Sequence, residues 1–473
     1  MLTVLLAAAQ IAASAPAQTP DARLRSIAAP VSGTTMHATV ERLVSFGTRH
    51  TLSSQTDPKR GIGAALTWSE NEFRRFSRAC FGCLTVTRAS EVVSGRRIPN
   101  PTRVTDVIAI QRGTQRPNDV VIITGHIDSR VTDVMNADEF EPGANDDGSG
   151  SAAVIEAARV LSKHRFPGTI VYALLSGEEQ GLYGGKILAD YARKAGWNVV
   201  ANLNNDIVGN SCSSDGLCDD KTVRVFSEGP RWQGGDALRP LVRSLGGEND
   251  APSRNISRWL DGLADRLAIG LDVRQIWRND RHGRGGDHTE LLNAGYPAVR
   301  LSVAVENYDW QHQDVRVENG KQYGDTIDHM DFAYLEKVTK LNVAALAALA
   351  SAPPPPAPTL GGAVSTDTIL EWDAVPGAAS YVVRWRRTDA SNWTAKLAAK
   401  PGCDAIPVGV RPARARQPPP PPKTRCRQVL RGYRVDDWVF GVSSVGISGF
   451  ESPVASAVPG GAFRPWAAQA EKK

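Results

Sequence analysis

Short, nearly all-apolar runs alternate with longer runs of helical period through residue 350 of the chain. The strand-like runs cover residues 104–111, 120–124, 170–175 and 199–204, then 223–226, 273–277 and 297–303. Helical runs at 151–163 and 182–194 separate several of them. Residues 34–76 read as two helices, the first with Val40, Leu43, Val44 and Phe46 at helical spacing. A last helix is expected over 332–350, with Tyr334, Leu335, Val338, Leu341 and Ala345 on one face and Asp331 as its N-cap. Strands alternating with helices predict an α/β fold, its sheet sandwiched between helices. Runs such as Val120-Val121-Ile122-Ile123 suit a sheet covered on both faces.

The pattern changes at residues 353–358, where five prolines and one alanine make a stiff, extended spacer. Beyond it, Leu370-Glu371-Trp372, Tyr381-Val382-Val383-Arg384-Trp385 and Val439-Phe440-Gly441-Val442 alternate or run apolar, as strands do. Residues 359–459 approach the ~100 residues of a small all-β sandwich. This stretch resembles a fibronectin type III module, with Trp372 and Tyr381 at its core aromatic positions and 446–453 as its final hairpin. Residues 396–434 depart from that pattern, with a five-proline run and many arginines. That insert reads either as a solvated loop or as an attachment to an anionic surface.

Composition narrows the class. The chain has 473 residues, 41% hydrophobic and 22% charged, the profile of a globular protein with ample core. A net charge of +5 is mild for this length and argues against a dedicated nucleic-acid binder. Residues 1–17 read as a signal peptide, apolar and then small, although a positive start is missing. No other run has the ~20 unbroken apolar residues of a membrane span. Six cysteines fall in three local couples, Cys80 with Cys83, Cys212 with Cys218, and Cys403 with Cys426. In an exported chain, secreted or periplasmic, such couples predict disulfides. Cys80 and Cys83 also have redox CxxC spacing, but no thioredoxin-like context surrounds them.

The chemistry centres on Pro142-Gly143-Ala144-Asn145-Asp146-Asp147-Gly148-Ser149-Gly150. Two carboxylates sit in a glycine-rich loop before a helix, and either one would serve as an N-cap. Their company suggests more. His126 and Asp128, Glu178 and Glu179, and Asp206 each follow a strand-like run. In an open α/β sheet, sites form at the carboxyl ends of strands. Carboxylates gathered there repel one another unless cations neutralise them. Nitrogen and oxygen donors without thiolate suit zinc better than manganese or cobalt. Five donors exceed the needs of one tetrahedral ion and suit two, with Asp146 as the natural bridge.

The series Gly125-His126-Ile127-Asp128-Ser129, Pro142 to Asp147, Gly177-Glu178-Glu179-Gln180-Gly181-Leu182 and Asn205-Asp206-Ile207-Val208-Gly209 resembles the co-catalytic di-zinc aminopeptidases. That family includes secreted bacterial leucyl aminopeptidases, glutamate carboxypeptidases and glutaminyl cyclases. The resemblance spans about residues 40–350, within a domain expected over 34–352. It implies a mixed sheet between helices, peptide substrates and two zinc ions. By the resemblance, His126 and Asp206 hold one ion, Glu179 and a later His hold the other, and Asp146 bridges. Asp128 orients His126, and Glu178 is the general acid/base. Asp287 and His288 match a further family element near the substrate; His288 also reads as a support behind the ligands. A carboxypeptidase, a dipeptidase, a cyclase or a non-catalytic binding protein are the alternatives on such a fold.

Two departures stand out. Relatives often carry a Tyr shortly before the Asp-His pair, whereas residues 279–286 have none, which leaves Arg281, His282 or a zinc ion to hold an oxyanion. Many relatives place the last His four residues before an Asp-Thr pair. Here Lys321 precedes Asp325-Thr326 at that spacing. His312 and His329 are the candidates. His312 is expected to be the ligand, because it follows a strand's carboxyl end, with an insertion in 313–322.

Overall fold

A computed structural model describes residues 18–230, 243–244, 246–399, 403–406 and 423–458. The expected signal peptide, residues 1–17, and most of the basic insert, residues 407–422, lie outside the described residues. Helices α1 (Pro20–Ala28), α2 (Gly33–Val44) and α3 (Ile62–Ala79) lead into strands β1 (Thr85–Gly95), β2 (Ile98–Gln111) and β3 (Arg116–His126). Then come α4 (Gly148–Leu161), β4 (Gly168–Leu175), α5 (Tyr183–Lys194), β5 (Asn198–Asn205) and β6 (Thr222–Phe226). After them lie α6 (Pro252–Leu267), β7 (Asp272–Ile276), α7 (His288–Asn293) and β8 (Ala298–Val303). A hairpin of β9 (Arg316–Glu318) and β10 (Lys321–Tyr323) precedes α8 (Phe332–Ser351).

The main sheet has eight strands in the order β1-β2-β4-β3-β5-β8-β6-β7. Its centre, β4-β3-β5-β8, is parallel, and β2 and β6 join it antiparallel. The apolar runs are explained by two-sided burial. Val121, Ile123, Ile170 and Tyr172 pack into a core shared with α2, α4 and α8. Val120, Ile122, Val171 and Ala173 pack on the opposite face with residues of α5 and α7. Successive side chains point to opposite faces, so every residue of β4 is buried. Asp331 caps α8 by accepting from the Tyr334 amide at 2.9 Å.

The domain begins earlier than residue 34. Helix α1, with Pro20 at its start and a Thr19 cap, puts Leu24, Ile27 and Ala28 into the main core. The edge strand β1 buries only Ala89 along its length, so it carries little apolar signal.

Strands β11 (Thr359–Gly361), β12 (Thr368–Asp373), β13 (Ala378–Arg387), β14 (Ala395–Ala399), β15 (Cys403–Ile406), β16 (Lys423–Leu430), β17 (Trp438–Gly446) and β18 (Ala455–Ser456) follow. They form two antiparallel sheets, ordered β11-β12-β16-β15 and β14-β13-β17-β18. Leu370, Trp372, Tyr381, Val383 and Phe440 fill the space between them. This unit is docked rather than spaced away. Pro353, Pro356 and Pro358 are buried. Arg386 on β13 makes two 2.8 Å contacts with Asp250, and Asn255 on α6 donates to Ser456 at 2.9 Å. The six cysteines form the three expected disulfides.

Candidate active site

The parallel strands β3, β4, β5 and β8 end on the same edge of the sheet, and the acidic and imidazole residues collect there. His126 is the last residue of β3. Its Nδ1 lies 3.0 Å from the Asp128 carbonyl oxygen. A carbonyl can only accept, so Nδ1 carries a proton, and Nε2 faces the cluster. The Asp128 carboxylate does something further: it accepts from the Thr51 hydroxyl at 3.1 Å and from the amides of Glu178 (3.4 Å) and Glu179 (3.2 Å). It therefore holds the loop that presents both glutamates.

The adjacent Asp146 and Asp147 divide the two roles that either could take. Asp147 caps α4, accepting from the Gly150 amide at 2.9 Å, and also accepts from the His126 and Ile207 amides. Asp146 turns into the cluster, with Oδ1 3.2 Å from His126 Nε2 and Oδ2 2.8 Å from His312 Nε2. Gly150 permits this crowding, since a Cβ there would lie 2.2 Å from the Asn205 carbonyl oxygen. Asp325 holds the loop from outside, accepting from the Asn145 and Asp146 amides at 2.9 Å and 2.7 Å. Arg49, fully buried, donates to the carbonyls of Ile127, Pro142 and Gly143 at 2.7–2.8 Å.

Asp206 follows β5, and its Oδ1 accepts from Arg300 Nη2 at 2.8 Å. Glu179 Oε1 is buried 3.0 Å from His312 Nε2, yet it makes no well-directed hydrogen bond. His312, not His329, joins the cluster. His329 instead stacks on Trp310, with ring centroids 4.0 Å apart. The hairpin β9–β10 lies between His312 and Asp325 and accounts for the unusual spacing. Leu182, Ile207 and His312 adopt left-handed φ of 59–61° in the loops that follow β4, β5 and β8. Such conformations disfavour ordinary side chains and gather at functional sites.

Two donor groups emerge, His126 with Asp146 and Asp206, and Asp146 with Glu179 and His312. Asp146 belongs to both. In each group the donor atoms lie within 4.8 Å of one another. Imidazole and carboxylate donors around a shared carboxylate fit a pair of zinc-like cations, and the unsatisfied Glu179 oxygen fits the same reading. His126 with Glu178 and Glu179 forms a third, overlapping group.

Charge crowding perturbs these residues strongly. Burial, opposed by His126 and reinforced by Glu179, holds the Glu178 carboxyl well above the usual carboxylate range. Burial also lifts Asp206 to about 7, against the pull of Arg281 and His126. Burial would raise Asp146, but His312 and His126 overcome it and hold it well below its usual value. His312 is depressed by burial but pushed up to about 9 by Glu179 and Asp146.

These groups line a cavity of ≈570 Å³. Arg281 is in its wall, tied to Asp280 at 3.0 Å and to Glu306 at 3.4 Å. His282 is exposed and stands outside the cavity wall. Asp287 and His288 are buried behind it: Asp287 accepts from the Gly185 amide at 3.0 Å, and His288 Nε2 lies 3.0 Å from the Asn279 carbonyl. Sequence reasoning overlooked Arg49, Asp280, Arg300, the cavity arginines Arg97, Arg130 and Arg284, and Gln311, which donates to Asp146 Oδ2 at 3.0 Å. One signal was present: Arg300 is the single charge inside the short, mostly apolar strand β8.

A family model described as peptidase family M28 matches residues 106–346. A probable zinc metalloprotease of Leptosphaeria maculans is 41% identical over 446 residues, covering 93% of this chain and 98% of that protein. Another from Pyrenophora teres f. teres is 41% identical over 449 residues, covering 93% and 88%. Among solved structures, the Legionella pneumophila LapA aminopeptidase is similar, with a TM-score of 0.52 and 20% identity, covering 72% of this chain and 78% of that one. LapB from the same organism has a TM-score of 0.51 and 19% identity, covering 69% and 74%. At these identities the structural likeness is one of fold.

Proposed function

Because the chain belongs to peptidase family M28, we propose that it is a zinc-dependent exopeptidase that releases N-terminal residues from peptides. The observation that carries this reading is the pair of donor groups sharing Asp146. His126 and Asp206 would hold one ion, Glu179 and His312 the other, and Asp146 would bridge. Zinc in such a site lowers the pKa of a coordinated water and polarises a carbonyl. The protein's own groups supply the rest. Glu178 shares the cavity with these donors but falls outside the two groups joined by Asp146. Its carboxylate takes a proton from the nucleophile and returns it to the leaving amine. Asp128 keeps that carboxylate in place through the Glu178 and Glu179 amides. Arg281, in the cavity wall, is a candidate donor to a developing oxyanion.

A carboxypeptidase or dipeptidase on the same site is the second reading, favoured by the arginines in the cavity. A non-catalytic binding role is disfavoured because every donor is present. Export to a secreted or periplasmic location is supported by three disulfides, which persist in oxidising compartments. No helix among the described residues is long and apolar enough to cross a membrane. The test is hydrolysis of aminoacyl anilides and of peptides blocked at either end, with metal counted per chain. Chelation should abolish turnover and zinc restore it. Full turnover by metal-free protein, or cleavage only of amine-blocked peptides, would refute the aminopeptidase reading.

A further inference from the structure

The cavity that gathers the acidic donors is also lined by four arginines, Arg97, Arg130, Arg281 and Arg284. Three of them are engaged by the protein's own carboxylates. Arg130 Nε lies 3.4 Å from Glu179, Arg281 is tied to Asp280 and Glu306, and Arg284 lies 2.9 Å from Glu306. Arg97 differs. It stands in the turn between β1 and β2, half-buried, and makes no ion pair among the described residues. Its one hydrogen bond there runs from Nη1 to the Glu179 carbonyl oxygen at 2.7 Å.

That bond anchors the guanidinium one residue from Glu178, at the cavity wall. A guanidinium carries five N–H donors in a rigid fork, and a neutral carbonyl leaves its charge without a counter-ion. A carboxylate matches that fork in shape and charge. We infer that Arg97 binds a carboxylate of the substrate and selects peptides carrying one close to the scissile bond. The carboxylate is either the C-terminus of a very short peptide or an acidic side chain. The inference rests on the exopeptidase reading for the bond that is cut.

Two matched peptide pairs separate the sources. Leu-Ala against Leu-Ala-amide reads the main-chain carboxylate, and Leu-Asp-amide against Leu-Asn-amide reads the side chain. With full-length, zinc-loaded protein, kcat/KM in one pair should favour the acid by about 10- to 100-fold, chiefly through KM, the range for a charged hydrogen bond. Arg97→Gln should collapse that ratio toward one with zinc content unchanged. Calorimetric binding of the same pairs to Glu178→Gln protein, with and without Arg97→Gln, should follow the same order. Should Arg97→Gln fail to fold, Arg97→Lys decides: its point charge cannot bind bidentately and should cut the preference about threefold or more. No acid preference in either pair, or a preference that survives the Arg97 change, overturns the inference. If wild type cleaves neither pair but Glu178→Gln protein still favours the acid through Arg97, the exopeptidase reading fails and the inference stands.

Discussion

Replacing Arg386 by Met should destabilise the protein by about 3 kcal/mol, although the residue lies far along the chain from every donor in the cavity. Arg386 and Asp250 are each 2% exposed and meet through two 2.8 Å contacts. At that separation an effective dielectric of ~20 gives an attraction of about 6 kcal/mol, much of it offset by the desolvation of both ions. Removing one partner from a buried pair typically costs about 3–5 kcal/mol, because the other charge stays buried. Asp250 would keep the Ser456 hydroxyl at 2.8 Å and the fields of Arg254 and Arg258, which sets the cost at the low end. Arg386→Met combined with Asp250→Leu should recover only part of the loss, since an apolar pair fills the same buried space but Arg254 and Arg258 lose the Asp250 carboxylate. Urea unfolding followed by fluorescence and by circular dichroism gives the values, provided the two transitions coincide. The effect should reach the cavity. Arg254 and Arg258 pack over Trp277, with guanidinium-to-ring distances of 5.3 Å and 5.0 Å, and the chain runs from Trp277 directly to Asp280 and Arg281. Amide exchange in residues 277–285 should therefore rise in the single variant. A single variant within about 0.5 kcal/mol of wild type, the range of ordinary surface changes, would refute a buried interface. So would a double variant worse than the sum of its parts.

Other outcomes follow from the donor geometry. Glu178→Gln should keep its zinc and lose about 10²–10⁴-fold in kcat, whereas Glu179→Ala should lose metal; equal loss in both would mean that the adjacent acids have exchanged roles. His312→Ala should lower bound zinc from two toward one per chain and nearly abolish turnover, and His329→Ala should do neither, as measured by atomic emission on dialysed protein. Burial depresses His312, but Glu179 and Asp146 push it up to about 9, so metal-free protein holds a proton there that zinc must displace. Apparent zinc affinity should rise by at least about tenfold per pH unit below pH ~9, and more steeply below about 7, where Asp206 also carries a proton. A flat profile in a chelator competition would contradict this.

Much of the site could be read from local pattern. The apolar runs at 120–124, 170–175 and 199–204 lie within β3, β4 and β5, and each is followed by residues of the cluster. Parallel strands end on one edge, so His126, Glu178, Glu179 and Asp206 converge without any long-range information beyond the alternation of strands and helices. Elements with weak or mixed period escaped: β1 buries a single alanine, and α1 is short and abuts the expected leader. The amphipathic α6 also went unread, although Pro252 marks its start. Other matters belonged to the folded chain alone. Asp146 was chosen as the bridge from its loop, but that Asp147 caps α4 is decided by backbone direction at the loop. His312 could be chosen over His329 from its place after a strand, whereas the stacking of His329 on Trp310 is seen only in the folded chain. Arg97, Arg130 and the pair Arg281 and Arg284 come from three separate loops, and long flexible side chains reach a common wall only once the sheet has brought those loops together. The pairing of Asp250 with Arg386, 136 residues apart, depends on how two domains dock, and no local period along a chain encodes that.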